Sequence, residues 1–200
     1  PVTRGPACHH FGYYDKSPWN LGGRFLLGLE TRFMDRAPAA SDVAVVGLID
    51  THAGHCWRPI SQTHAWNWQQ GAMLQWLGSD PEGTVIHNIC AGDHFAGLVV
   101  EVGSGARRRL PLPVYALSAD GRQAVSVNFA RIAQTRPGYG YAGPADPWAD
   151  DPQPAGDGVF WMDVETGRHQ LIVSLAQVVA TGHTASMDGR KHWFNHLQFN

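Results

Sequence analysis

Short apolar runs separated by turn-forming residues dominate the chain, and three of them end in the same way. Val45-Val-Gly-Leu-Ile49 runs into Asp50-Thr-His-Ala-Gly54, Gly97-Leu-Val-Val100 into Glu101-Val-Gly-Ser-Gly105, and Val159-Phe-Trp-Met162 into Asp163-Val-Glu-Thr-Gly167. Apolar runs of this length, rich in β-branched and aromatic residues and closed by glycine, read as strands. Each acid-to-glycine turn precedes another extended stretch, ending at Pro59-Ile60, Arg109-Leu-Pro-Leu112 and Leu171-Ile-Val173. The pattern predicts three hairpins with glycine at a positive-φ position. A second turn lies upstream of each: Trp19-Asn-Leu-Gly-Gly23, Trp76-Leu-Gly-Ser-Asp-Pro-Glu-Gly83 and Leu117-Ser-Ala-Asp-Gly121. Another strand should follow each of these turns. A single helix is predicted, at Ser174-Leu-Ala-Gln-Val-Val-Ala180.

Two independent turns recurring in one order make a repeat, and a repeat decides architecture. Each unit reads strand A, glycine turn, strand B, loop, strand C, acid-to-glycine turn, strand D. That is a four-stranded antiparallel blade, and radial repetition of blades makes a β-propeller. The expected fold is therefore all-β, with blades over residues 9–62, 66–112 and 113–173, the last carrying a loop insertion at 131–158. Residues 192–200 read as the first strand of a further blade. Since closed propellers need typically four to eight blades, the chain is expected to be a segment of a larger ring. The other architecture compatible with these strands is a meandering β-sandwich.

Composition narrows the function classes. Fifteen basic against 17 acidic residues leave a net charge of −2, with no basic excess to neutralise nucleic-acid phosphates. No apolar run reaches the roughly 18–20 residues of a membrane span. Eight Trp and eight Phe argue against disorder. Cys8, Cys56 and Cys90 share no short spacing, which suggests neither a disulfide framework nor a zinc knuckle, and they are expected to be small buried thiols. The chain has no recognisable targeting leader, so the compartment stays open.

Blade geometry locates the chemistry. Loops entering strand A and loops joining B to C open on one face, and in this chain they are dense in aromatic, amide and imidazole groups. They include Cys8-His-His-Phe-Gly-Tyr-Tyr14, Trp66-Asn-Trp-Gln-Gln-Gly71, Pro111-Leu-Pro-Val-Tyr115, Arg136-Pro-Gly-Tyr-Gly-Tyr141 and Lys191-His-Trp-Phe-Asn-His196. The turns of the opposite face are plain glycine turns. Aromatic faces stack on sugar rings and amides pair with hydroxyls, so Trp68, Gln69, Gln70, Tyr139, Tyr141 and Asn195 are candidate substrate-binding residues. Arg131 and Arg136 could grip a carboxylate in a bidentate way. The first half of the 131–158 insertion reads as a lid and residues 149–157 as solvated linker. Two motif matches are rejected. Gly138-Tyr-Gly-Tyr-Ala-Gly143 has the dinucleotide-binding spacing without the strand before it and helix after it. His192-Trp-Phe-Asn-His196 has the spacing of a zinc-protease helix without its glutamate. On an extended strand, however, His192 and His196, or His196 and Gln198, would share a face and could hold a divalent transition ion. His9-His10 would reach the same channel mouth.

At His196-Leu-Gln-Phe-Asn200, with His9-His-Phe-Gly-Tyr-Tyr-Asp-Lys-Ser-Pro-Trp19 and Trp66-Asn-Trp-Gln-Gln-Gly71, the chain resembles the oligogalacturonate lyase-like propellers. Its blade turns are also similar to those of TolB-type propellers, which are binding modules, and to WD40-like repeats in layout. The lyase resemblance implies a seven-bladed ring with a divalent ion, typically manganese, held by His and Gln side chains at the channel mouth. His196 and Gln198 match that ligand pattern. It further implies β-elimination on a uronate oligosaccharide, with His10, His192 and Arg136 as the candidates for catalytic roles. The expected partner is an acidic oligosaccharide or another small ligand. The competing expectation is a non-catalytic propeller that binds a glycan or protein through the same face.

Overall fold

The computed structural model describes residues 2–200. Three antiparallel sheets follow one another along the chain, each of four strands in sequence order, and they do not close into a ring. The first contains β1 (Cys8–His10), β2 (Phe25–Thr31), β3 (Ala44–Asp50) and β4 (Cys56–Thr63). The second contains β5 (Gln75–Leu77), β6 (Asp80–Cys90), β7 (Phe95–Glu101) and β8 (Arg107–Arg109). The third contains β9 (Ala116–Leu117), β10 (Gln123–Ser126), β11 (Gly158–Asp163) and β12 (His169–Ser174). The all-β expectation holds at this level: antiparallel four-stranded sheets made of consecutive hairpins.

The sheets stack face to face, which is why their inner strands are continuously apolar rather than alternating. Leu27, Leu29, Val46 and Leu48 of the first sheet meet Trp76, Val85 and Val100 of the second, with Trp66 between them. Ile86 and Val99, from the other face of the second sheet, meet Ala124, Met162 and Val164 near the third. A third, aromatic cluster of Phe95, Tyr115, Phe129 and Tyr141 lies at one end of the second interface. Phe129 stacks on Tyr141, with centroids 4.4 Å apart and planes at 8°.

The repeated acid-to-glycine turns have a common physical basis in two of the three units. Gly105 (φ 74°) donates its N–H to the Glu101 carbonyl at 2.8 Å, and Gly167 (φ 74°) does the same to Asp163 at 2.9 Å. Such a closure needs the left-handed region that glycine enters without a Cβ penalty. The acid helps to hold the turn, since Asp163 accepts from both the backbone N–H and the hydroxyl of Thr166 at 2.7 Å. Asp50 does something different. Its fully buried carboxylate accepts from Arg24 at 2.9 and 2.7 Å and from Arg58 at 2.6 Å, and the Arg24 hydrogen bonds hold its carboxyl down at about 2.

Several elements depart from expectation. The turn between β5 and β6 closes at Gly78-Ser79, because Leu77 pairs with Asp80 across a register shift, so Gly83 lies within β6. Asp80 stabilises that bulge by accepting from the Gly83 N–H and the Thr84 hydroxyl. The expected helix is present as α2 (Leu175–Thr181), capped by Ser174 and Gln177 in a reciprocal capping box. An unexpected helix, α1 (Phe129–Thr135), begins where Asn128 accepts from the Arg131 N–H. A 3-10 turn spans Ala185–Met187. Residues 192–200 form no strand among the described residues. His196 adopts φ 58°, which interrupts the extended path, while Phe194, Leu197 and Phe199 pack on the aromatic cluster. No helix of the described residues is long and apolar enough to cross a membrane.

Candidate functional site

The strand that begins as β1 is interrupted. Trp19 bridges to Leu26, and the Leu27 N–H donates to Pro18, so the strand line resumes after residues 11–17 have bulged out. That bulge carries Tyr13 toward the third sheet. A neighbouring loop, residues 66–71, is held by reciprocal backbone hydrogen bonds between Asn67 and Gly71. The Asn67 side-chain amide donates to the Gly140 carbonyl at 3.1 Å, which ties this loop to the insertion of the third sheet. Together with the final segment, these loops bring Tyr13, Gln70, Tyr115, Arg136, Tyr139, Asn195 and His196 into one cluster.

Hydrogen bonds define its geometry. Arg136 Nη1 lies 3.1 Å from His196 Nε2, and the Tyr13 hydroxyl lies 3.3 Å from His196 Nδ1. A guanidinium can only donate, so Nε2 is the acceptor and Nδ1 carries the proton in this arrangement. The Arg136 guanidinium also sits 3.8 Å over the ring of Tyr139. Behind them, the Tyr115 hydroxyl donates to Asn195 Oδ1 at 2.6 Å and accepts from Gln70 Nε2 at 2.9 Å and from the His196 backbone N–H at 2.8 Å. Burial and the adjacent Tyr14 push the Tyr13 hydroxyl up to about 12, so it remains a neutral phenol at neutral pH, accepting from His196 Nδ1 with its own proton free for another acceptor. Burial raises Tyr115 in the same direction.

The candidate residues separate into three groups. Arg136, Tyr139, Asn195 and His196 converge in the cluster, with Gln70 as a buried support whose Oε1 has no protein partner. Trp68 and His10 lie deeper, with their rings 4.9 Å apart, in the wedge between the first two sheets; Trp68 donates to the Arg36 carbonyl and Gln69 is exposed. Burial, and then His9, lower His10 to about 4, and neither of its ring nitrogens has a protein partner. Arg131, Tyr141 and His192 have structural surroundings. Tyr141 is a core residue whose hydroxyl accepts from Asn88. His192 is held by its backbone, its N–H donating to Pro152 and its carbonyl accepting from Arg131.

Arg131 was expected to meet a ligand carboxylate, but all five of its donors serve its own chain. Nε bonds His192, Nη1 bonds Asp146 and Trp148, and Nη2 bonds Asp151 and Pro152, at 2.6 to 3.2 Å. The same bonds correct the reading of the insertion. Its second half is pinned around Arg131, with Pro154 and Asp157 buried, rather than solvated linker. Gly140 packs against the backbone of α1, at Phe129 and Ala133, so the middle glycine of the fingerprint-like stretch serves helix packing.

The side chains as placed do not fit a divalent cation. The one lone pair of the His196 ring faces the Arg136 cation, and the positive φ of His196 removes the strand alternation that would have aligned it with Gln198 and His192. Gln198 is exposed and lines a separate space of about 470 Å³ with Asp15, Lys16 and Trp19. Among the described residues no three His, Cys, Asp or Glu side chains converge as a ligand set. Tyr115 was not singled out as a site residue. Its only advance mark was its position in a loop that enters the first strand of its sheet.

No family model matches the chain. No curated protein matches it either. Solved structures do. An oligogalacturonate lyase from Vibrio parahaemolyticus aligns with 88% of the chain at 11% identity and a TM-score of 0.54. A protein described as TolB from Agrobacterium tumefaciens aligns with 87% at 16% identity and a TM-score of 0.50. The chain spans 43% of the first and 50% of the second. Both are propellers, and at these identities the likeness establishes the fold: the three sheets are arranged as they are in propeller proteins.

Proposed function

We propose that the cluster around Arg136 binds a carboxylate-bearing carbohydrate, and that the chain is part of a larger propeller whose ligand face carries this cluster. The observation that carries the reading is Arg136 itself. Its guanidinium is oriented by Tyr139 and His196, yet Nε and Nη2 have no protein partner among the described residues. An oriented guanidinium with free donors suits a bidentate carboxylate. The neighbouring Tyr13 and Tyr139 rings offer apolar faces to a pyranose, and the Tyr13 hydroxyl offers a polar tip.

A lyase is the second reading, supported by the juxtaposition of a carboxylate clamp and an imidazole. β-Elimination from a uronate needs its carboxylate charge neutralised and a base near the adjacent C–H. A carboxylate seated on Nε and Nη2 leaves Nη1 on His196 Nε2, so the imidazole would act as that base only after turning its lone pair away from Nη1 toward the substrate. Titration of oligogalacturonate into the chain by calorimetry, with parallel detection of the ultraviolet absorbance of unsaturated product, separates the readings. Saturable binding that falls about tenfold or more in Arg136→Gln supports the site. Product formation adds the lyase, whereas binding without product leaves a binding module. No binding to any uronate oligomer overturns both.

A further inference from the structure

A second cavity, of about 250 Å³, opens between the second and third sheets away from the Arg136 cluster. Its walls are mainly apolar, with Phe95, Pro113, Trp148 and Phe160 among them, and Trp148 is 40% exposed. Asp157 also lines it, although its side chain belongs to a buried polar group with Asn128, Asp146 and Arg131. Asn128 Nδ2 donates to both carboxylates, at 2.8 Å to Asp146 and 2.9 Å to Asp157. The residues Asp146 and Asp157 are 4% and 3% exposed.

The charges in this group do not balance. Arg131 pairs with Asp146 at 3.2 Å, and among the described residues no cation lies within ion-pair distance of Asp157. One guanidinium therefore serves two buried carboxylates, and the one without a counter-ion belongs to Asp157, the residue of the pair that lines the cavity. Burial, reinforced by the charge on Asp146, raises the Asp157 carboxyl from its ordinary value. A buried charge in apolar surroundings is stabilised by a partner of opposite sign. The Asp157 oxygens accept only from Asn128 and the Gly158 N–H, which are neutral donors. At the rim, exposed Asp93 adds another carboxylate, paired with His94 at 2.9 Å.

We infer that this cavity is a binding site for a small organic cation, a primary amine carried on an apolar or aromatic body, with Asp157 as its counter-ion and Trp148 as its aromatic wall. The volume lies just below the range usual for drug-sized ligands and admits a ligand of about one aromatic ring with a short amine arm. An ammonium close to an aromatic face is attracted by the ring quadrupole as well as by the carboxylate.

Phenethylamine and its neutral counterpart 2-phenylethanol test the assignment by titration into the 200-residue chain, followed through the indole N–H resonances and tryptophan fluorescence. The expected result is saturable binding of the amine, with the Trp148 indole shifted and the alcohol binding about tenfold or more weaker. Asp157→Asn should remove most of that preference, and Trp148→Leu should weaken both ligands while lowering the preference for the amine only in part. Equal binding of amine and alcohol to the unaltered chain, or shifts confined to tryptophans other than Trp148, would overturn the inference whether or not either variant folds. The Arg136 cluster is not involved, so the two sites can fail independently.

Discussion

Arg131 and Arg136 stand at the start and the end of α1, and their roles are opposite. Five hydrogen bonds, one of them to the Asp146 carboxylate, consume the first, which is 1% exposed, while the second keeps free donors above a tyrosine ring. Sequence made them equivalent, because both are arginines in one insertion beside aromatic residues. Only burial separates them. Replacing Arg131 with Met should cost about 3–5 kcal/mol, since Asp146 would lose its partner and four carbonyls their donor; urea denaturation would measure it. Arg136→Met should change stability by less than about 1 kcal/mol in the same experiment. His87 provides a residue-scale pH test. Its imidazole is fully buried between Ser61 and the Asn88 carbonyl, and burial lowers it to about 4. Between that value and the ordinary 6.5, the unfolded chain takes up a proton that the native chain refuses. Stability should therefore fall as pH drops through this window, by up to about 1.4 kcal/mol per pH unit for such a histidine. His10, lowered in the same way, adds to the slope. His87→Gln should flatten the curve measured from pH-dependent denaturation midpoints, and an unchanged slope would show that His87 is not its source.

At the scale of elements, the hairpins were legible because a two-residue alternation or apolar run ending in a specific glycine turn is a local property. The α2 helix was legible for the same reason, through Ser174 and Gln177. Helix α1 was not. Its sequence, Phe-Ala-Arg-Ile-Ala-Gln-Thr, sits between a strand and a Pro-Gly stretch, and its apolar face becomes meaningful only against Phe95 and Tyr141. Its dependence on the Gly138–Gly143 stretch is testable. A methyl on Gly140 would collide with the α1 backbone at Phe129 and Ala133, which cannot give way as a flexible side chain could. Gly140→Ala should destabilise the chain by roughly 1–3 kcal/mol and increase amide exchange across residues 129–135. Unchanged exchange there would mean that this loop does not brace the helix.

The whole molecule is a row of sheets in which the second shares a core with each neighbour. Leu48 lies in the cluster between the first and second sheets, and Met162 lies in the cluster between the second and third. Leu48→Ala and Met162→Ala should each cost about 2–5 kcal/mol. Because the second sheet is common to both cores, each variant should still unfold in one transition by circular dichroism and tryptophan fluorescence. Separated transitions would show that the sheets fold as independent units. The likeness to propeller structures belongs to this scale too, as a property of how the sheets stack rather than of shared side chains.

The order of strands within each sheet and the acid-to-glycine closures at Gly105 and Gly167 were readable from sequence, since each depends on near neighbours and on a repeat that can be counted. The allocation of similar residues to different work came from tertiary structure. Folding set Arg131 apart from Arg136, turned His196 toward an arginine rather than into line with Gln198, and left Asp157 without a cation beside a cavity. Those outcomes depend on which distant groups share a low-dielectric space, and hydrogen bonding and charge balance in that space are set by the packed fold, not by spacing along the chain.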